Sequence, residues 1–158
     1  MSVGIAGLAQ RRCTGQVTAA ILYATTSSRL YRSTDSGATW VEIGTGIYGG
    51  LLYALLPHPM TSGTVYCGTK AGIFRSTDFG NTWQEISGNF SFNKIKVLAL
   101  AGDDNTIYTE CQDNAVYRSF DNGNTWERCP EFLSCGNICA MAVHPFDPAT
   151  VWALEGSG

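Results

Sequence analysis

A ten-residue phrase occurs three times in this chain of 158 residues, and successive copies begin 43 residues apart. The copies are YRSTDSGATW at 31–40, FRSTDFGNTW at 74–83 and YRSFDNGNTW at 117–126, and six of the ten positions are identical in all three. A fixed period of this length indicates one supersecondary unit that is repeated and that buries its apolar face against the next copy. The repeat therefore constrains the architecture more than any other feature of the chain.

Each unit reads as four short strands separated by turns. Segments such as VLALA, TVYCG, AVYRS and TWVEI are rich in β-branched and aromatic residues, too short for helices, and bounded by turn-forming residues. Four antiparallel strands in 43 residues are typical of a β-propeller blade. We expect an all-β fold, a β-propeller segment of about three and a half four-stranded antiparallel blades.

The period divides residues 1–158 into one incomplete propeller region. The predicted blades cover about residues 4–46, 47–91 and 92–134, followed by a partial blade at 136–158. GIAGLAQ is the candidate first strand of the first unit. The partial blade holds two strands, and we expect small and branched side chains to fill its contact with the third unit, namely those of Ala140, Ala142, Val151 and Ala153. Further blades, from a longer chain or from other subunits, are the expected partners.

The repeated phrase predicts the turn between the third and fourth strands of each unit. Its Asp accepts hydrogen bonds from N–H groups two or three residues on, and its Gly supplies a positive φ. Its Thr begins the next strand, and its Trp covers the hairpin and buries a large apolar area. The predicted structural residues are Ser33, Asp35, Gly37, Thr39, Trp40, Ser76, Asp78, Gly80, Thr82, Trp83, Ser119, Asp121, Gly123, Thr125 and Trp126.

The three phrases resemble Asp-box motifs, also called bacterial neuraminidase repeats, and the pattern covers nearly the whole chain. Proteins with this motif include sialidases, xyloglucan-cleaving glycoside hydrolases, sortilin-type receptors and a photosystem II assembly factor. The 43-residue spacing and the wording HPFDPATVWA at 144–153 are closest to the xyloglucanase and sortilin-like branch. The resemblance implies a propeller in which the motif is a folding device away from the ligand-binding face. It also favours an extracellular or periplasmic location, although no signal peptide is visible.

Two functions remain open at this point. The first is a non-catalytic binding or scaffold module, and the second is a fragment of a carbohydrate-active glycoside hydrolase or sialidase-like enzyme. Glycoside hydrolysis needs two carboxylates at a set separation, and the sequence does not pair any of the candidates, which are Asp103, Asp104, Glu110, Asp113, Glu131, Asp147 and Glu155. Catalytic residues therefore stay unassigned.

The recurring basic residues have structural explanations in the sequence. His58 and His144 each precede a proline at the same position of the repeat, which favours a role in a turn. Three arginines recur in the phrase, and we expect them to stack on neighbouring aromatic rings and to pair with acidic residues of the fourth strands. The arginines are Arg32, Arg75 and Arg118, and the acidic residues are Glu42, Glu85 and Glu127.

Irregular loops at 44–50, 87–94 and 129–137 join successive units and differ among them. Specificity on a repeated scaffold usually lies in such loops. Aromatic residues in or beside them, Tyr48, Phe90, Phe92 and Phe132, are candidates for stacking on a glycan or anchoring a protein ligand. The alternative is that they fill gaps between blades.

Composition excludes several other classes of function. The net charge is −3 and no basic run extends beyond Arg11-Arg12, which argues against nucleic acid as a partner. No stretch of 18 apolar residues is present, so no membrane-spanning helix is expected. The six cysteines occupy non-equivalent positions of the repeat, and their spacing favours free thiols or a disulfide within 129–139 over a metal site. We expect no cofactor and no metal.

Overall fold

The computed structural model describes residues 21–88, 90, 94–103, 105–130 and 138–156. These residues form strands in four antiparallel sheets, and the all-β prediction is confirmed. The strands are β1 (Leu22–Thr25), β2 (Leu30–Ser33), β3 (Val41–Ile43), β4 (Leu52–Pro57), β5 (Val65–Thr69), β6 (Ile73–Ser76), β7 (Gln84–Glu85), β8 (Val97–Leu100), β9 (Ile107–Glu110), β10 (Val116–Ser119), β11 (Glu127–Arg128), β12 (Ile138–His144) and β13 (Asp147–Glu155).

The sheets follow the order of the chain. Sheet one is β1-β2-β3, sheet two is β4-β5-β6-β7, sheet three is β8-β9-β10-β11, and sheet four is β12-β13. Because neighbouring strands are antiparallel, the three copies of the repeated turn lie at one end of the sheets, which we call the turn face. The opposite end, the loop face, carries the loop 44–51 and the turns 26–29, 70–72 and 111–115.

Equivalent residues of successive sheets form a shared core. β4 packs against β8, and β8 packs against β12, so the first strands of these sheets adjoin. Tyr23 of β1, Tyr66 of β5 and Tyr108 of β9 each lie opposite a recurring arginine of the next strand, and none is more than 4% exposed. One buried cluster contains Tyr66 together with Ile95 and Trp126, so it spans sheets two and three.

The glycines of the second and third repeated turns contact side chains of the preceding sheet. A Cβ added at Gly80 would lie 2.4 Å from Ile43 Cδ1, and one added at Gly123 would lie 2.3 Å from Ile86 Cδ1. Ile43 is the last residue of β3 and Ile86 directly follows β7, so the two lie 43 residues apart at equivalent positions of the repeat. The absence of a side chain at each glycine therefore makes room for an apolar contact between neighbouring sheets.

Sheet four packs against sheet three, and of the four residues that the sequence indicated for this contact, Val151 takes part and the three alanines do not. Met141, Val143 and Val151 contact the cluster formed by Tyr108, Val116, Cys129 and Ile138, whereas Ala140, Ala142 and Ala153 are exposed. A register shift between Ile138 and Ala140 changes which side chains of β12 face sheet three, because successive side chains of a strand point to opposite faces. The candidate first strand GIAGLAQ lies outside the described residues.

Candidate functional site on the loop face

Each of the three repeated turns contains the same set of internal hydrogen bonds. In the second copy, Asp78 Oδ1 accepts from the Ser76 hydroxyl at 2.8 Å and from the Thr82 N–H at 2.8 Å, and Asp78 Oδ2 accepts from the Thr82 hydroxyl at 2.6 Å. Ser76 Oγ accepts from the Gly80 N–H at 2.7 Å. The N–H bound by the aspartate is four residues on, not two or three as predicted, because the serine oxygen takes the nearer N–H groups.

The same network recurs in the first and third copies and controls the ionisation of the aspartates. The Thr39 side chain and backbone, followed by Ser33, lower the pKa of Asp35 to about 2. Thr82 and Ser76 lower the pKa of Asp78 to about 2 in the same way. Partial burial acts in the opposite direction on the pKa of Asp121, but hydrogen bonds from Thr125 and Ser119 outweigh it and lower that pKa as well. Each aspartate is thus held ionised as an acceptor within its own turn.

The tryptophans of the turns differ in burial. Trp126 is 5% exposed and its Nε1–H donates to Ile86 O of the preceding sheet at 2.8 Å. Trp40 is 43% exposed, and within the described ranges no preceding sheet covers it. The prediction that every tryptophan of the phrase buries a large apolar area is therefore wrong for Trp40.

Two of the three recurring arginines contact the next repeated turn instead of a glutamate. Arg32 Nη1 donates to Phe79 O at 2.7 Å, and Arg75 Nη1 donates to Asn122 O at 2.9 Å. Arg118 alone behaves as predicted, since its Nε lies 2.6 Å from Glu127 Oε1 and its guanidinium lies over a ring. The expected pairs of Arg32 and Arg75 are wrong because their side chains cross to the neighbouring sheet.

The candidate catalytic carboxylates and histidines are largely engaged in turns. Asp103 accepts from the N–H groups of Asn105 and Thr106 and from the Thr106 hydroxyl. Asp147 accepts from the Ala149 N–H and the Thr150 hydroxyl. His58 Nδ1 accepts from two N–H groups of the turn that follows it, at 2.9 and 3.2 Å, and His144 Nδ1 accepts from one at 3.2 Å. The predicted turn role of the histidines agrees with these contacts.

The loop face holds two of the four aromatic residues selected from the sequence. Tyr48 is 55% exposed; its hydroxyl donates to Glu85, and its ring meets Phe74 edge to face at 4.9 Å between centroids. Phe90 is half-buried against Tyr117, with 5.2 Å between ring centroids, and packs on the core of sheets two and three. Phe92 and Phe132 lie outside the described residues.

A groove of about 450 Å³ opens on the same face, between the turn 26–29 and the loop 44–51. Its walls include Arg29 and Glu42, whose side chains form an exposed ion pair at 2.7 Å, and Ile47 of the loop 44–51. Among the described residues that line the groove, Glu42 is the single carboxylate. The groove therefore offers a mixed polar and apolar surface with a charged rim.

A buried ion pair on this face has no signal in the sequence pattern. The Glu110 side chain is fully buried, and its Oε1 lies 3.0 Å from Lys96 Nζ, while its Oε2 accepts no hydrogen bond from any described residue. Burial raises the pKa of Glu110, and the contact with Lys96 lowers it in part. The pair joins the end of the second strand of sheet three to the loop before that sheet, and sequence spacing alone does not place the two residues together.

The described residues contain no cluster of three or more metal-ligating side chains. Cys67 and Cys111 are buried free thiols, Cys139 is an exposed free thiol, and Cys129 is buried. Burial raises the pKa of Cys67 to about 12, which makes this thiol unreactive. Within the described ranges, the chain also has no helix long and apolar enough to cross a bilayer.

These sheets and turns define a segment of a β-propeller. A family model described as Sortilin-Vps10 (Sortilin, neurotensin receptor 3) matches residues 28–113, which is more than half of the chain. The chain belongs to this family. No curated protein matches the sequence significantly.

Solved structures agree on the fold. An ancestral GH74 enzyme superimposes with a TM-score of 0.70 and 20% identity, over 95% of this chain and 22% of that chain. The GH74 xyloglucanase from Xanthomonas campestris gives 0.65 and 23%, over 86% and 21%. YCF48 bound to D1 peptide gives 0.60 and 17%, over 85% and 43%. The predicted propeller fold is confirmed, and the chain spans about a fifth of the length of these hydrolases and less than half of YCF48.

Proposed function

We propose that this chain is a non-catalytic binding or scaffold module, a propeller segment in which the repeated turns are structural Asp-box turns and the loop face contacts the ligand. One observation carries the proposal. The described carboxylates other than Glu155 each accept a hydrogen bond or ion pair from another group of the chain. Their roles in turns and ion pairs account for their presence.

The carboxylates of the loop face suit a structural role better than acid–base chemistry. A glycosidase places two carboxyl groups on opposite sides of the scissile bond, where both reach the substrate. Glu110 is buried with Lys96, and Asp113 accepts from the Ala115 N–H and the Tyr117 hydroxyl. Glu42 stands in the groove without a second carboxylate among the described lining residues.

Tyr48 has the properties of an anchor for a ligand. Its hydroxyl contact with Glu85 and its ring contact with Phe74 fix the side chain, while more than half of its surface stays open to solvent. An aromatic side chain that is held in place before binding loses little conformational entropy on binding. The exposed ring suits stacking on a sugar or on an apolar side chain of a peptide.

Affinity electrophoresis on soluble xyloglucan and a binding titration with the D1 peptide test the proposal, because the structural relatives include a xyloglucanase and a protein bound to that peptide. Tyr48→Ala is expected to weaken binding of the recognised probe by about tenfold. Phe120→Ala is the matched control, since Phe120 is also 55% exposed but lies on the turn face. Equal loss in both variants would count against a loop-face site.

The second candidate function is a fragment of a carbohydrate-active hydrolase, and the likeness to two GH74 enzymes favours it. The same xyloglucan sample is assayed for new reducing ends. If reducing ends are released and substitution of a single carboxylate abolishes the release, the chain is part of an enzyme and the proposal of a binding module is wrong. An extracellular or periplasmic location remains part of either proposal.

A further inference from the structure

In sheets three and four, a bonded aspartate and threonine stand where the first strand leads into the second. Asp103 Oδ2 accepts from the Thr106 hydroxyl at 2.6 Å. Asp147 Oδ2 accepts from the Thr150 hydroxyl at the same distance of 2.6 Å. In both sheets the aspartate precedes the threonine by three residues. A carboxylate at this point is therefore a shared part of the two sheets.

Sheet two has no carboxylate at the same point. Thr64 is its equivalent threonine, because it precedes the buried tyrosine of its second strand by two residues, as Thr106 does. Three residues before Thr64, where the other two sheets have aspartate, stands Thr61. Neither the Thr61 nor the Thr64 hydroxyl is hydrogen-bonded to another described residue.

A pocket of about 160 Å³ lies beside these two threonines on the turn face, between sheets two and three. Both sheets that form it have four strands. Thr77 of the second repeated turn and Asn122 of the third also line the pocket, and none of its described lining residues is a carboxylate. Because a water molecule takes up about 30 Å³ in the liquid, the pocket has room for roughly five waters or for a small organic ion.

Arg75 brings a positive charge to the wall of this pocket. Its Nη1 donates to Asn122 O at 2.9 Å, and its Nη2 lies 3.5 Å from Asn124 Oδ1. Both acceptors are neutral, and Arg75 forms no ion pair with any carboxylate of the described ranges. A guanidinium has five N–H donors, so Arg75 can bind a further acceptor. A half-buried cation without a counter-charge favours an anion at its side.

We propose that this pocket binds a small molecule through a carboxylate, which takes the place of the aspartate that sheets three and four carry. The Thr64 hydroxyl donates to this carboxylate as the Thr106 hydroxyl donates to Asp103. Arg75 supplies the counter-charge, and the Thr61 hydroxyl is a further donor. The remaining space holds only a few more atoms, as in acetate or one end of a sugar acid.

Titration of the full chain with sodium acetate, against sodium chloride at equal ionic strength, tests the proposal by amide NMR. We expect saturable shifts of the amide signals of Thr61, Thr64 and Thr77, and none in the loop 44–51. Arg75→Gln and Thr64→Val should each weaken acetate binding by about tenfold, because each removes a hydrogen bond to a charged oxygen. The same spectra show whether each variant is folded.

The matched control variants lie in other sheets. Arg32→Gln removes the same kind of contact with the next repeated turn as Arg75→Gln does, and Thr150→Val removes the hydroxyl that is equivalent to that of Thr64. Both variants should leave acetate binding unchanged. Equal weakening by Arg75→Gln and Arg32→Gln would show that binding depends on packing between sheets in general, and the proposal would be wrong.

Thr61→Asp supplies the missing carboxylate within the chain. Its side chain should bond to Thr64, raise the Tm by a few degrees and abolish acetate binding, because the pocket is then filled and Arg75 has a counter-charge. Thr61→Asn is nearly equal in size but uncharged, so it should give less of this gain in Tm. Acetate binding that persists in Thr61→Asp overturns the proposal.

Two further probes define the ligand. Glucuronate that binds as tightly as acetate, and that Arg75→Gln weakens equally, assigns the pocket to the carboxylate of a sugar acid, whereas binding of acetate alone assigns it to a free small carboxylate. Both results support the proposal. Inorganic phosphate that binds more tightly than acetate would overturn the assignment to a carboxylate. All these measurements concern the turn face, so failure here is distinct from failure of the proposed binding function of the loop face.

Discussion

Substitution of alanine at the glycines of the repeated turns separates backbone strain from contact between sheets. Gly37 and Gly123 have φ of +94° and +87°, so alanine at either position costs roughly 1–2 kcal/mol in backbone strain. At Gly37 the nearest atom to the added Cβ is Leu22 Cδ1 at 3.4 Å, an ordinary contact. At Gly123 it is Ile86 Cδ1 of the preceding sheet at 2.3 Å, and overpacking adds roughly 1–3 kcal/mol.

We therefore expect Gly123→Ala to lower the free energy of unfolding by roughly 2–5 kcal/mol and Gly37→Ala by roughly 1–2 kcal/mol. Urea denaturation followed by circular dichroism measures both values. The second step of the experiment adds Ile86→Val, which removes the methyl group that the new Cβ meets. In the Gly123→Ala background it should restore stability, although alone it should cost roughly 0.5–1.5 kcal/mol.

A favourable coupling energy between the two sites is the expected signature of a direct contact. Equal losses for the two glycine variants, or additive effects of Gly123→Ala and Ile86→Val, would show that the contact between sheets does not limit the residue at this position. The glycine would then be explained by its φ alone.

Further predictions concern ionisation and thiol reactivity. The pKa of Asp78 is about 2 in the folded chain and 3.8 in the reference state. The ionised Asp78 therefore stabilises the fold above about pH 4, and this contribution is lost as the pH falls towards 2. Asp78→Asn should make the acid limb of a Tm–pH profile less steep. Glu110 has the opposite sign, because burial raises its pKa above 4.5. Its contribution falls as the pH rises from about 4.5 through the folded pKa, and Glu110→Gln should remove that decline while leaving the acid limb unchanged. Alkylation of the native chain, mapped by peptide mass, should label Cys139 first and Cys67 only after unfolding, and early labelling of Cys67 would contradict its burial.

The repeat allowed much of the fold to be predicted, because each turn is a local structure. Serine, aspartate, glycine and threonine of one phrase satisfy one another within seven residues, so their spacing in the sequence reflects their contacts. The phrase does not predict that the residue before each of its glycines also has a positive φ. Ser36, Phe79 and Asn122 all adopt this conformation. Three different residue types stand there, and their identity carries no common signal.

Contacts between units were not visible in the sequence. Arg32 and Arg75 donate to acceptors 47 residues further along the chain. From the repeated phrase alone, we predicted that each would pair with a nearby glutamate. The pair of Lys96 and Glu110 likewise depends on the path of a loop. The exposure of the candidate aromatic residues also depends on the path of their loops. Tyr48 is exposed, whereas Phe90 packs on the core. Irregular loops lack the periodicity that makes strands predictable.

The outermost strands of sheets two and three have a consequence for solubility. β7 and β11 are two residues long and exposed, and they consist of Gln84, Glu85, Glu127 and Arg128. Edges this short and this polar give foreign strands little to pair with, so the rim of these sheets is protected from amyloid-like growth. β13 is nine residues long and displays Trp152 and Leu154. Aggregation of the purified chain should therefore begin at β13, and a lysine in place of Leu154 is the change most suited to suppressing it.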